Sequence, residues 1–131
     1  MGTFTEGEEQ GIYQIDYDIE TGELTNKQQV ALEGKPGYLY RSQDGERVYS
    51  SNGTKPGSVS AFQWNNDKTA LKRVDNLSSQ GDGACYIELS PNENLLAAAN
   101  YSSGGIILYP LDEKGHMVDN PQEIQHVGSG P

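Results

Sequence analysis

Apolar residues along this chain come in short runs that alternate with polar ones and break at glycine-rich turns. GIYQIDY (11–17) puts Tyr13, Ile15 and Tyr17 on one face of an extended segment, and SVSAFQW (58–64) puts Ser60, Phe62 and Trp64 on the equivalent face. Thr21-Gly22 and Asp44-Gly45 supply the residues that hairpin turns need at positive φ. No segment sustains a 3.6-residue period with helix caps. The pattern predicts an all-β fold.

The pattern also repeats. Ile15, Phe62 and Tyr109 are spaced by 47 positions, as are Tyr17, Trp64 and Leu111, and Leu24, Leu71 and Val118. A second set is spaced by 48: Tyr38 with Tyr86, Ser42 with Ser90, and Asn52 with Asn100. A loop that differs by one residue accounts for the two offsets. Each unit reads as four short strands, most completely CYIELS (85–90), LLAAAN (95–100), GIILYPL (105–111) and a last strand near EIQHV (123–127). The preceding unit reads GYLYRS, RVYSSN, SVSAFQW and ALKRVDNL, and the first lacks its opening strand.

A four-stranded unit of about 45 residues is the size of a β-propeller blade. The expected architecture is antiparallel blades: an incomplete first blade over 1–34, a second over 35–80 and a third over 81–131. That is about 2.8 blades, where closed propellers use about four to eight. Bare blade faces would then be available for self-association.

Charge narrows the partners. Nineteen acidic residues against nine basic ones give a net charge of −10, which argues against nucleic acid and anionic membrane surfaces. The longest apolar run, LLAAA, is far too short to span a bilayer as a helix. One cysteine, Cys85, allows no internal disulfide and fits a reducing, cytoplasmic setting. Two distant histidines and one cysteine make no metal-ligand cluster, so neither metal nor cofactor is expected.

Several stretches together carry a resemblance: GTFTEGEEQGIYQIDYDIETGELT, PGYLYRSQDGERVYSSN, GACYIELSPNENLLAAANYSSGGIILYPLDEKG and HVGSGP. In this order they resemble the opening two-fifths of the seven-bladed lactonase family, which includes propeller-type 6-phosphogluconolactonases and carboxymuconate-cyclising enzymes. The resemblance implies hydrolysis of a sugar lactone, 6-phosphogluconolactone first. The alternatives are a carboxymuconate-type lactonising reaction or a non-catalytic propeller that binds or assembles. Tyr86 stands where members commonly carry a histidine. The family's catalytic histidine loop follows the GSGP motif, so the catalytic residues are expected beyond Pro131 and the 131-residue chain alone is expected to be inactive.

The candidate substrate contacts are Asn100, Tyr101, Asn52 and Tyr86. Asn52 and Asn100 end the second strand of successive units, where that strand reaches one rim of the ring. Two readings stay open for both: a hydrogen bond to a lactone at the channel mouth, or a side chain that closes its own turn. Cys85 is expected as a small buried thiol, His116 as a solvated loop residue and His126 as structural or exposed.

Overall fold

The computed structural model describes residues 1–128; Ser129, Gly130 and Pro131 of the GSGP motif lie outside the described residues. Among the described residues ten strands form three antiparallel sheets, with one 3-10 turn at Gly7–Glu9. The first sheet pairs β1 (Ile12–Tyr17) with β2 (Leu24–Ala31). Residues 1–3 add an outer bridge on the other side of β1, through Gly2 to Ile12 and the Thr3 N–H to the Gly11 carbonyl. The second sheet runs β3 (Pro36–Arg41), β4 (Arg47–Asn52), β5 (Ser58–Trp64) and β6 (Leu71–Ser78), in that order. The third runs β7 (Ala84–Leu89), β8 (Leu95–Asn100), β9 (Gly105–Pro110) and β10 (Gln122–Gln125).

Each up-and-down meander follows from turn chemistry that the repeat copies. The Ser42 hydroxyl accepts the Arg47 N–H at 3.0 Å, and Ser90 accepts the Leu95 N–H at 3.1 Å in the equivalent hairpin. Gly45 supplies φ +73° in the first hairpin, and Glu93 takes φ +51° in the second. A serine hydroxyl thus closes both turns onto the first N–H of the following strand.

The sheets stack face to face, and the middle one is buried on both sides. Val48 and Phe62 point toward the first sheet, where they pack with Ile12, Val30 and Leu71. Tyr49, Val59 and Ala61 point the other way and pack with Ile87, Leu96, Ala98, Ile107 and Tyr109. This is why SVSAFQW carries apolar residues at both parities, although a half-solvated strand would alternate. The outward face of the third sheet, with Leu95, Ala97, Ile106 and Leu108, is only half-buried. No described residue covers it.

Two features depart from the sequence reading. A register shift between Ala84 and Tyr86 breaks the alternation of β7, so Cys85 is exposed rather than buried. His116 is not a free loop residue: its Nδ1 lies 3.1 Å from Asp75 Oδ2, and the Met117 N–H donates to the same oxygen. That cluster ties the third sheet to β6 of the second.

Candidate functional site

Strands β3 and β7 are the outermost members of their sheets on one side, each with one edge unpaired by any described strand. They lie against each other, and the rings of Tyr38 and Tyr86 meet across the seam with centroids 4.6 Å apart and planes tilted by 52°. Both phenols stay partly exposed. The Tyr86 hydroxyl donates to Glu88 Oε2 at 3.4 Å, and the Glu88 carboxylate pushes the Tyr86 phenol above its ordinary range. Tyr86 is therefore a neutral donor and acceptor on this wall, with no histidine-like titration near neutral pH.

At one rim the three sheets enclose a cleft of about 390 Å³. Its sides are Phe4 and Tyr101, and Gly37, Gly53, Gly83, Ala84, Cys85 and Ser102 form the remaining wall. The repeat explains the arrangement. Thr3, Asn52 and Asn100 each end the strand that pairs with Gly11, Ser58 and Gly105, which are themselves 47 apart. The following residues are Phe4, Gly53 and Tyr101, so an aromatic, a glycine and an aromatic stand at one position of three sheets. A Cβ on Gly53 would come within 2.7 Å of the Phe4 ring, so glycine at the middle sheet is what makes room for that side chain. Cys85 and Gly37 occupy the bulge position of β7 and β3, which turns both toward the cleft.

The four sequence-predicted contacts separate here. Tyr101 is 85% exposed and borders the cleft. Tyr86 lies on the neighbouring wall. Asn52 is 1% exposed and committed: its amide donates to Ser60 Oγ at 2.9 Å and Ser58 Oγ at 3.0 Å, and its Oδ1 accepts from Ser50 at 2.7 Å. It does not project into the channel. Asn100 is 4% exposed, yet the three serines have become Ala98, Gly105 and Ile107. Its amide donates instead across the seam to the Ser79 carbonyl at 2.7 Å, and its Oδ1 has no partner.

Sequence reasoning missed Phe4, because the strand that precedes it is too short to register as one. It also left out Lys35, which does not line the cleft but touches two residues that do: the Gly53 N–H donates to the Lys35 carbonyl, and the Lys35 ammonium lies 5.9 Å from the Phe4 ring centroid. His126 is exposed at the same rim, with its N–H on the Gly104 carbonyl at 3.2 Å. Among the described residues no His, Asp or Glu lines the cleft itself, and no group of three or more such side chains or cysteine could hold a metal. A further cavity of about 280 Å³, between the first and second sheets, is lined mostly by apolar seam residues such as Leu39 and Trp64 and carries no comparable chemistry.

The family model "Lactonase, 7-bladed beta-propeller" matches residues 1–131. The chain belongs to the seven-bladed β-propeller lactonase family. Within it, the chain is 27% identical over 132 residues to the 6-phosphogluconolactonase of Bacillus subtilis, covering all of this chain and 38% of that protein. A crystal structure from Bacteroides fragilis superposes with TM-score 0.79 at 34% identity, over 99% of this chain and 36% of that one. A structure from Lactobacillus plantarum gives TM-score 0.84 at 27% identity, over 99% and 37%. The chain thus spans well under half the length of these proteins. The three sheets are blades of such a propeller. No helix among the described residues is long and apolar enough to cross a membrane.

Proposed function

We propose that this chain supplies part of the substrate-binding rim of a lactonase that hydrolyses a sugar lactone, 6-phosphogluconolactone foremost. The observation that carries the reading is the rim cleft, enclosed by three blades of a lactonase-family propeller and walled by aromatics, glycine backbone and one thiol. Phe4 and Tyr101 flank the sugar ring, and Tyr86 offers its hydroxyl from the channel wall. Asn100 holds the turn that carries Tyr101, since its carbonyl accepts the Gly104 N–H at 3.0 Å. Asn52 holds its own blade together. A single thiol without a disulfide partner fits a cytoplasmic setting.

Lactone hydrolysis needs a proton acceptor for the attacking water and donors for the tetrahedral oxyanion. The cleft walls described here bind and orient; they hold no carboxylate or imidazole to activate water. On this reading the catalytic base comes from outside the cleft walls. The test is hydrolysis of 6-phosphogluconolactone, followed by acid release, in the polypeptide that carries these residues and in its Tyr101→Ala variant. The proposal predicts a raised KM with a smaller change in kcat. Unchanged kinetics in the variant would remove Tyr101 from the site.

A further inference from the structure

We propose that Lys35 is an anion anchor of the rim cleft, holding the phosphate of a phosphorylated sugar lactone; this rests on the function proposed above. The position of Lys35 in the repeat gives the first indication. Lys35 and Gly83 are 48 residues apart and occupy the same turn, each just before the first strand of its sheet. Gly83 adopts φ +70° there, as glycine does freely, and Lys35 adopts φ +48°. One blade thus carries a lysine at a backbone position that glycine fills without strain in the next. Asn26, Lys68, Gln80 and Glu93 also adopt left-handed backbone, so strain by itself does not mark a site.

The distribution of cations decides. The chain has nine basic residues. Lys27, Lys72 and Arg73 lie on the outer strands β2 and β6, and Arg41, Arg47, Lys68 and Lys114 lie in or beside the turns of the opposite rim. Lys35 and Lys55 remain on the cleft rim. Lys55 is 85% exposed, but it is paired at 3.2 Å with Asp82, a carboxylate only 34% exposed, so its charge is already committed. The Lys35 side chain is 35% exposed and is steered by the Phe4 ring, a wall of the cleft.

The present partner of Lys35 is exchangeable. Glu6 Oε1 lies 3.2 Å away on a side chain that is 82% exposed, and such surface pairs hold weakly. The nearer acid in sequence, Glu33, is already engaged by Arg73 at 3.3 Å and by the Gly34 N–H at 2.9 Å. A phosphate entering the cleft brings a higher charge than the Glu6 carboxylate and three acceptor oxygens for the ammonium. It therefore displaces Glu6, while the sugar ring lies between Phe4 and Tyr101. Glu6 and Asp82, the acids on Lys35 and Lys55, repel any anion that an ammonium does not hold.

The experiment compares glucose 6-phosphate with glucose, two stable rings that differ by the phosphate, by amide chemical-shift titration of the purified protein. The anchor predicts shifts at Gly37, Gly53 and Gly83, with glucose 6-phosphate bound about tenfold tighter than glucose. Lys35→Gly should abolish that margin without lowering the melting temperature, because it relaxes the backbone, and Lys35→Arg should keep it. A margin that survives Lys35→Gly overturns the anchor, as does a variant that loses melting temperature and margin together. Equal binding of the two sugars overturns the anchor and leaves the cleft reading standing. Binding of neither overturns both.

Discussion

The Tyr49 hydroxyl donates to the Gly115 carbonyl oxygen at 2.8 Å, and this bond crosses from the second blade to the third. Tyr49 and Tyr109 are the largest fully buried side chains among the described residues, and both belong to one apolar cluster with Ile87, Leu96 and Ile107. The contact therefore couples two features of a blade seam: apolar packing of the ring and a single polar tie at its tip. Tyr109 repeats the device in the opposite direction, with its hydroxyl on the Ser78 carbonyl.

Tyr49→Phe should cost about 1 kcal/mol at neutral pH, the net worth of one hydrogen bond, measured by urea unfolding. Burial pushes both phenols up, Tyr49 and Tyr109 each to about 12 from an ordinary 10.0. The folded state then keeps protons that the unfolded state releases. This stability is present below the unfolded value and is lost as pH rises toward the folded one. The alkaline fall between those two values should be shallower in Tyr49→Phe than in the parent.

Ile107 is fully buried at the same seam. Ile107→Ala should cost about 2–5 kcal/mol, because neighbouring strands cannot collapse into the gap. Ile106→Ala, on the half-buried outward face, should cost clearly less in the same unfolding series.

Asn52 and Asn100 should respond differently to alanine. Asn52→Ala leaves the Ser50 hydroxyl without its partner and takes one of two amide donors from Ser58 and Ser60, which keep that of Asn76; a loss of about 1–3 kcal/mol is expected. Asn100→Ala removes one seam bond and an oxygen that had no partner, so it should cost less. Paired thermal melts decide the order.

At acid pH the turn carboxylates give way. The N–H of Thr21 and then that of Glu20 hold Asp18 below the usual carboxylate value, and the His116 N–H does the same for Asp112. A depressed folded pKa stabilises above the unfolded value of 3.8 and stops doing so as pH falls through the folded one. Asp112→Asn should therefore flatten the acid limb of the unfolding midpoint against pH, and it should loosen the turn that carries His116.

Much of this was legible in the chain. The 47-residue spacing of Ile15, Phe62 and Tyr109 marks the blades, and Gly22 and Gly45 mark turns whose φ is +76° and +73°. Where the reading failed, the cause was local or distant geometry. The bulge at Cys85 reverses a side chain that strict alternation would bury, and no periodicity announces a bulge. The His116–Asp75 pair joins residues 41 apart across a seam, which no local pattern records. Asn52 and Asn100 looked alike because their own strands are alike; the difference lies in Ser50, Ser58 and Ser60, whose counterparts in the third blade are apolar or glycine. That comparison, like Lys35 against Gly83, was available in the repeat once each position was aligned singly.

The most direct test of the rim cleft as the binding site is an amide chemical-shift map with 6-phosphogluconate, the product of the proposed reaction. The account predicts changes that cluster at Phe4, Gly37, Gly53, Gly83, Cys85 and Tyr101, with Asn52 and the seam cavity near Trp64 unmoved. Changes centred on that seam, or none at the cleft at saturating ligand, would contradict it.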